Sequence, residues 1–458
     1  MSAPITRRTL LATGAAAAGV FVPGVTAYAR RHPSHGVRFT LNAVVLDGGE
    51  QVISITLHTA RLGPIDPASL TTGTFKVHAK ATSPIPIAAG DQIFSEYDLD
   101  RPVTAVRLDR WGDIVLDLAY GEGQVGGGTL GYIAGKGRNV VLDLVYTITQ
   151  NTPIVLRNRR SLTIGAFVQG ELSDPEVDAF SYHDSRSGLK YRLYSPGRGR
   201  RFHAAGRGGQ PLVVWLHGGG EGGLLPDNYY DNETTLRANR GALGFATPEA
   251  QQIFGGAFVV APQSTSYWIE DGPRFAPLIR EIIGELVRRY PIDRQRIYVA
   301  GCSNGGYMTM EMTSVYRDLF AAAVPICGVV TSLAPGGPPL LTDAQLQQIA
   351  TPTWLVASRD DPTVPPVPNT VHAHDLIPGS LMTLYDHVIW NGHQFNGHWS
   401  WIYVARNDPT INGTHIWQWM AAQQADGRGS GHGGDGHSAP GNSRGHHDRG
   451  PHAFGHTR

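Results

Sequence analysis

The feature that most constrains this chain is one short turn, Gly301-Cys302-Ser303-Asn304-Gly305-Gly306. Before it, Ile297, Tyr298, Val299 and Ala300 form an apolar run of β type. After it, Tyr307, Met308, Met310 and Met312 lie in a helix-compatible run. A strand, then Gly-x-Ser-x-Gly, then a helix is the context in which a serine is forced onto a sharp turn above a sheet. Such a turn leaves no room for side chains beside the serine. It also sets the hydroxyl at a helix N-terminus, where free N–H groups and the helix dipole favour negative charge. Ser303 is therefore the candidate nucleophile.

A turn of this kind needs a parallel sheet beneath it, and the flanking sequence supplies one. Residues 190–195, 211–216, 257–262, 296–300, 321–326 and 353–357 read as strands, several of them continuously apolar, as strands buried on both faces are. Between them, Leu278, Ile282, Ile283, Leu286 and Val287 mark the apolar stripe of a helix. Strands alternating with helices predict an α/β domain, a mainly parallel sheet covered on both faces, spanning 179–425. Active groups then belong beyond the C-terminal ends of the strands.

The region 37–168 reads differently. Short period-two runs recur, as at 37–46, 51–58, 74–78, 103–108, 113–118, 140–146 and 162–167, and Asp47-Gly48-Gly49 is a hairpin signal. This predicts an all-β sandwich, immunoglobulin-like in the broad sense. It carries no catalytic constellation, and its expected role is structural or as a wall of the active site. Residues 171–178, polar and containing Pro175, are expected to link the two domains.

The ends carry other signals. Arg7 and Arg8 precede an Ala-rich apolar run, and Ala27-Tyr28-Ala29 follows, so 1–29 reads as a twin-arginine signal peptide and the mature chain is expected to be secreted. The apolar run is short and broken by Gly14, Gly19 and Pro23, which argues against a membrane span. Residues 426–458 are Gly, His, Arg, Ser and Asp with almost no apolar residue, a composition expected to stay disordered. The tail histidines, among them His432, His437 and His446, have no regular ligand spacing, so no metal site is expected. The formal net charge of +0 gives no footprint for nucleic acid. Cys302 and Cys327 are the 2 cysteines, too few for a disulfide scaffold. Both fall at predicted strand ends, as a disulfide or as two small buried thiols.

A serine hydroxyl needs a base, and the base an orienting acid, which on such a sheet follow in the order acid, then histidine. The acid is expected just past the strand at 353–357, where Asp360 and Asp361 both qualify. Asp361 is favoured because Pro362-Thr363-Val364-Pro365 follows it. The base is expected in the loop holding His393 and His398. His398 is favoured because it stands in Gly397-His398-Trp399-Ser400-Trp401, ahead of the last helical stretch. An oxyanion hole needs backbone N–H groups. Leu216-His217-Gly218-Gly219-Gly220, directly after a buried strand, offers those of Gly219 and Gly220, and Asn304 offers another. The Gly-Lys-Ser/Thr of a phosphate loop is absent. Residues 223–255, with Tyr229, Tyr230, Asn232 and Phe245, are expected to cover or line the pocket.

These motifs, with Glu221-Gly222-Gly223 and Tyr307-Met308-Thr309, resemble those of secreted α/β-hydrolase esterases that carry an N-terminal immunoglobulin-like domain. That group is similar to polyhydroxybutyrate-depolymerase-like and prolyl-oligopeptidase-like serine hydrolases. The resemblance covers about 37–424 and maps the nucleophile, acid and base onto Ser303, Asp361 and His398. It implies carboxylic-ester hydrolysis through an acyl-enzyme, with no cofactor and no metal, on a small-molecule or polymeric ester. Peptide hydrolysis and a non-catalytic binding role on the same scaffold are the alternatives.

Overall fold

The computed structural model describes residues 36–197, 209–332 and 336–425. The expected export signal, the Gly/Arg-rich stretch from 198 and the His-rich tail expected to be disordered lie outside the described residues.

An eight-stranded sheet organises the C-terminal part. Its spatial order is Phe180–Asp184, Lys190–Tyr194, Phe258–Pro262, Gln210–Leu216, Ile292–Cys302, Ala322–Ile326, Trp354–Ser358 and Leu381–Tyr385. The first two strands run antiparallel to their neighbours, and the remaining six are parallel. The parallel strands are buried on both faces, which is why they read as unbroken apolar runs. One apolar layer packs Trp215, Phe245, Tyr298 and Trp354 on one side, and another packs Leu216, Ile279, Ile283 and Val299 on the other. The helix Gly272–Arg289 delivers its stripe of Phe275, Ile279, Ile282, Ile283 and Leu286 to the second layer. Asp271 caps it by accepting the Arg274 N–H.

The sheet reverses its winding at Gln210–Leu216. From there the chain moves outward to Phe258–Pro262, then returns to pair Ile292–Cys302 on the opposite side. Strand order switches at that point, and a crevice opens beyond the carboxyl ends of Gln210–Leu216 and Ile292–Cys302. The turn at Ser303 and the glycine run after Leu216 both lie there.

The N-terminal part is all β among the described residues, apart from single 3₁₀ turns. One sheet runs Phe167–Ser173, Val37–Leu46, Gly49–Leu57, Ile114–Leu118, Val103–Leu108. A second runs Asp143–Gln150, Phe75–Thr82, Tyr97–Arg101. Alternate residues of both, including Phe39, Ile55, Val77, Leu116 and Tyr146, meet in one core.

Two local expectations change. Much of 171–178 is ordered secondary structure: Phe167–Ser173 pairs parallel with Val37–Leu46, and Pro175–Asp178 forms a helical turn capped by Asp174. The stretch 223–255 mostly builds packing. Phe245 is in the core, Asn232 is buried, the Tyr230 hydroxyl donates to the Gln263 carbonyl (2.7 Å), and the Tyr229 hydroxyl receives the Val141 N–H (2.7 Å). Only its Ala238 and Asn239 reach the crevice described next.

The two parts dock through charged groups. Arg237 Nη1 lies 2.6 Å from Glu50 Oε2, Arg240 Nη1 donates to the Val45 carbonyl (2.7 Å), Arg406 spans both Asp47 oxygens (3.0 Å each), and Lys136 Nζ meets Asp227 Oδ2 at 2.6 Å.

Candidate active site

Ser303 sits directly after the strand Ile292–Cys302 and caps the helix Asn304–Val315. Its backbone is strained, with φ 54° and ψ −114°, a conformation a non-glycine residue adopts only where the surroundings impose it. Here the Ser303 N–H donates to the Ile326 carbonyl (2.8 Å), and the Ser303 carbonyl accepts the Tyr307 N–H (3.0 Å). Gly305 shows why the turn is so restricted: a Cβ there would lie 1.9 Å from the Leu216 carbonyl oxygen. The helix thus presses against the neighbouring strand's end, and only glycine permits the contact.

The glycine run is held from below. His217 is fully buried, and burial lowers its pKa to about 3, against the smaller opposing effect of the Gly218 carbonyl. It is therefore neutral, with Nδ1–H donating to the Gly218 carbonyl (2.6 Å) and Nε2 accepting the Ser264 N–H (2.9 Å). This histidine shapes the loop; the chemistry lies with other residues. Glu221 is buried in the same loop, where burial pushes its carboxyl up to about 7. Its backbone carbonyl accepts from Thr234 Oγ1 (3.0 Å) and Gln263 Nε2 (2.9 Å). From the N-terminal domain, Asn139 Nδ2 donates to the Gly220 carbonyl (3.3 Å).

The acid and base candidates separate into two pairs. His398 Nδ1 lies 2.8 Å from Asp361 Oδ2, whose other oxygen accepts the Thr363 and Val364 N–H groups at 2.8 Å each. Asp361 and His398 are both buried. Asp360 instead accepts from Ser358 Oγ and meets His387 Nδ1 at 2.8 Å. His393 is exposed and borders a separate recess with Glu122, Trp390 and Arg406. Burial disfavours the charged form of His398, but the Cys327 sulfur and the Asp361 carboxylate outweigh it and raise its proton affinity.

Gly219, Gly220, Ser303 and His398 line one cavity of about 1090 Å³, with Asp361 behind His398. Asn304 follows Ser303 at the helix start, its side-chain Oδ1 accepting the Ile269 N–H (3.0 Å). Among the described residues, Ser303 Oγ makes no hydrogen bond, so nucleophile and base share the cavity without yet touching. Such contacts commonly tighten only when substrate binds. The cavity's opposite wall comes from the N-terminal domain through Tyr97, Leu130, Tyr132 and Asn139. Both cysteines are free and buried. Sequence reasoning missed Asn139, Tyr132 and Cys327, whose places near the site depend on long-range packing.

The parallel sheet with a strained serine turn at its switch point has the α/β-hydrolase arrangement, and the chain is similar to esterases. The prolyl oligopeptidase family model matches residues 279–336, which include the serine turn. A poly(3-hydroxyalkanoate) depolymerase C of Paucimonas lemoignei is 34% identical over 84 residues, 16% of this chain and 20% of the relative. Acetylxylan esterase A of Emericella nidulans is 28% identical over 123 residues, 23% of this chain and 40% of the relative. The chain thus spans well under half the length of these curated relatives. A solved thermostable esterase matches at 25% identity with a TM-score of 0.66, over 84% of this chain and 99% of its own.

Proposed function

We propose that the protein is a serine hydrolase of carboxylic esters, with Ser303 as nucleophile, His398 as general base and Asp361 as its orienting acid. The observation that carries this reading is the buried 2.8 Å contact between Asp361 and His398, with His398 facing the same cavity as the strained Ser303. His398 takes the hydroxyl proton as Ser303 Oγ attacks the ester carbonyl carbon. The N–H groups of Gly219 and Asn304, aided by Gly220, hold the oxyanion. Asp361, anchored by two backbone N–H groups, keeps Nδ1 protonated and Nε2 available. The tetrahedral intermediate collapses, the alcohol leaves with the proton from His398, and water cleaves the acyl-enzyme by the same route. The named relatives act on polymer-linked esters, which fits a wide cavity walled by a second domain.

We read 37–168 as an immunoglobulin-like sandwich and 1–29 as a twin-arginine export signal, so that the mature chain works outside the cytoplasm. The prolyl oligopeptidase match favours peptide hydrolysis as the second reading. Side-by-side assay of p-nitrophenyl esters and aminoacyl amides separates the two. Ser303→Ala is expected to abolish ester turnover and labelling by a fluorophosphonate probe, with an unchanged circular dichroism spectrum. Turnover persisting in that variant refutes the mechanism.

A further inference from the structure

Cys327 has no part in the proposed reaction, yet it stands against the base. It follows the strand Ala322–Ile326, and its N–H donates to the Val356 carbonyl (2.7 Å). Its φ is +38°, so the strand ends in a left-handed turn at a residue that is not glycine. One ligand atom each from Cys327, Asp361 and His398 lies within 4.8 Å of the others, and all three residues are buried. A thiol, an imidazole and a carboxylate are the ligand types that zinc takes in proteins.

From this geometry we propose that Cys327, His398 and Asp361 form a binding site for a soft divalent cation such as Zn²⁺, and that its occupancy silences the hydrolase. Tetrahedral zinc holds sulfur, nitrogen and oxygen ligands roughly 3.3–3.6 Å apart, so atoms within 4.8 Å of one another need to close by about 1.5 Å at most, while the 2.8 Å contact of Asp361 with His398 opens by about 0.5 Å. The Cys327 thiol gives up its proton to solvent and binds as thiolate, His398 moves its proton from Nδ1 to Nε2 and lends the Nδ1 lone pair, and Asp361 lends Oδ2. Asp361 Oδ2 now meets His398 Nδ1 at 2.8 Å and trades that contact for the metal, while Oδ1 stays held by Thr363 and Val364. His398 lines the cavity and gives the ion its path. The thiolate selects soft ions over Mg²⁺ and Ca²⁺. Bound, the metal takes the imidazole away from proton transfer. Binding stands on the three ligands alone; the silencing rests on the proposed triad.

The test uses reduced, chelator-treated full-length protein and Cd²⁺ as probe. A saturable ultraviolet thiolate-to-cadmium charge-transfer band is expected in the wild type, in Cys302→Ala and in Ser303→Ala. It should be absent in Cys327→Ala and displaced by Zn²⁺. The band is specific to sulfur, so histidines of the tail do not contribute. In parallel, Zn²⁺ should inhibit ester turnover reversibly with EDTA, and Cys327→Ala should need at least tenfold more Zn²⁺ for half-inhibition, each rate being taken relative to its own metal-free value. No band in the wild type, or an equal band in Cys327→Ala, overturns the site. A normal band with no difference in inhibition overturns the silencing. Because Ser303→Ala has the band as its readout, the metal site is tested whether or not the esterase reading holds.

Discussion

Removing the Arg237 side chain is the sharpest test of how the two domains hold together. Arg237 Nη1 contacts Glu50 Oε2 at 2.6 Å across the interface, and Nε contacts Glu233 Oε2 at 2.5 Å. Glu50 is buried, and its Oε2 also accepts from Thr129 Oγ1 (2.6 Å). Its Oε1 has no hydrogen-bond partner, and neither has Oδ2 of Asp174, whose carboxyl is pushed up to about 7 by burial and then by the charge of Glu50. Arg237 is thus the cation answering a cluster of buried carboxylates. Burial lowers its own pKa, but Glu50 and Glu233 outweigh that and raise it. Arg237→Met keeps most of the volume and strands Glu50. Breaking a buried pair by removing one partner costs about 3–5 kcal/mol. For a domain of this size that is a fall in Tm of roughly 6–20 °C. Glu233 suffers less, because Arg192 Nη1 still meets it at 3.1 Å. Calorimetry at pH 7.5 and pH 5 provides the check. The loss should be large at pH 7.5 and smaller at pH 5, where a proton can neutralise the stranded carboxylate. Glu50→Gln added to Arg237→Met should recover more than half of it. A single variant within about 1 kcal/mol of the wild type at pH 7.5, or an equal loss at both pH values, refutes the electrostatic reading of the interface.

Two further outcomes follow from the same structure. Asp174 and Glu221 titrate at about 7 when folded, against 3.8 and 4.5 for ordinary carboxyls, so the folded chain holds protons that the unfolded chain has released. Their contribution to stability is complete below about pH 4 and is lost as pH rises through about 7. Melting temperatures between pH 5 and pH 8 should fall less steeply in Glu221→Gln than in the wild type, and an unchanged slope counts against the burial argument. Asn139→Ala removes the bond that steadies the Gly220 carbonyl from the other domain. Losing about 1 kcal/mol of loop positioning should lower kcat/KM on a p-nitrophenyl ester roughly fivefold with little change in Tm, and steady-state kinetics beside a melt will show it.

Much of the catalytic half was legible because local sterics leave few options there. Gly305 cannot carry a Cβ, Ser303 needs a helix after it, and the strands beneath are apolar on both faces. What escaped notice depends on partners distant in sequence. The strand Tyr97–Arg101 reads as charged, yet Arg101 is buried, with the Tyr146 hydroxyl and the Val52 and Ala119 carbonyls accepting from its two terminal nitrogens. Tyr229 and Tyr230 looked like pocket aromatics, but their hydroxyls are spent on Val141 and Gln263. The parallel pairing of Phe167–Ser173 with Val37–Leu46 joins the two ends of one domain, and no local pattern announces it. Asp360 and Asp361 are adjacent and alike in sequence. What separates them is burial and which histidine each meets, exposed Asp360 with His387 and buried Asp361 with His398, and that is a matter of tertiary placement.

The division of the cavity between two domains has a chemical consequence. Gly219, Gly220 and Ser303 follow strand ends of a buried sheet, and His398 stands in the turn Gly397–Trp399, where a change of one side chain is felt through the core. Tyr97, Leu130, Tyr132 and Asn139 stand on the other domain and face the same space. In the proposed reaction the substrate's carbonyl meets the first set, which leaves the second set to face the rest of the substrate. Substitutions at Leu130 or Tyr132 can therefore alter which ester fits without disturbing the proposed proton path. The interface in turn is held by a buried ion pair, Glu50 with Arg237, and a half-buried one, Asp47 with Arg406, whose geometry is directional. Apolar contact alone would let the wall slide. Paired charges hold it in register with Ser303, so the same residues that dock the domains also set the width of the cleft.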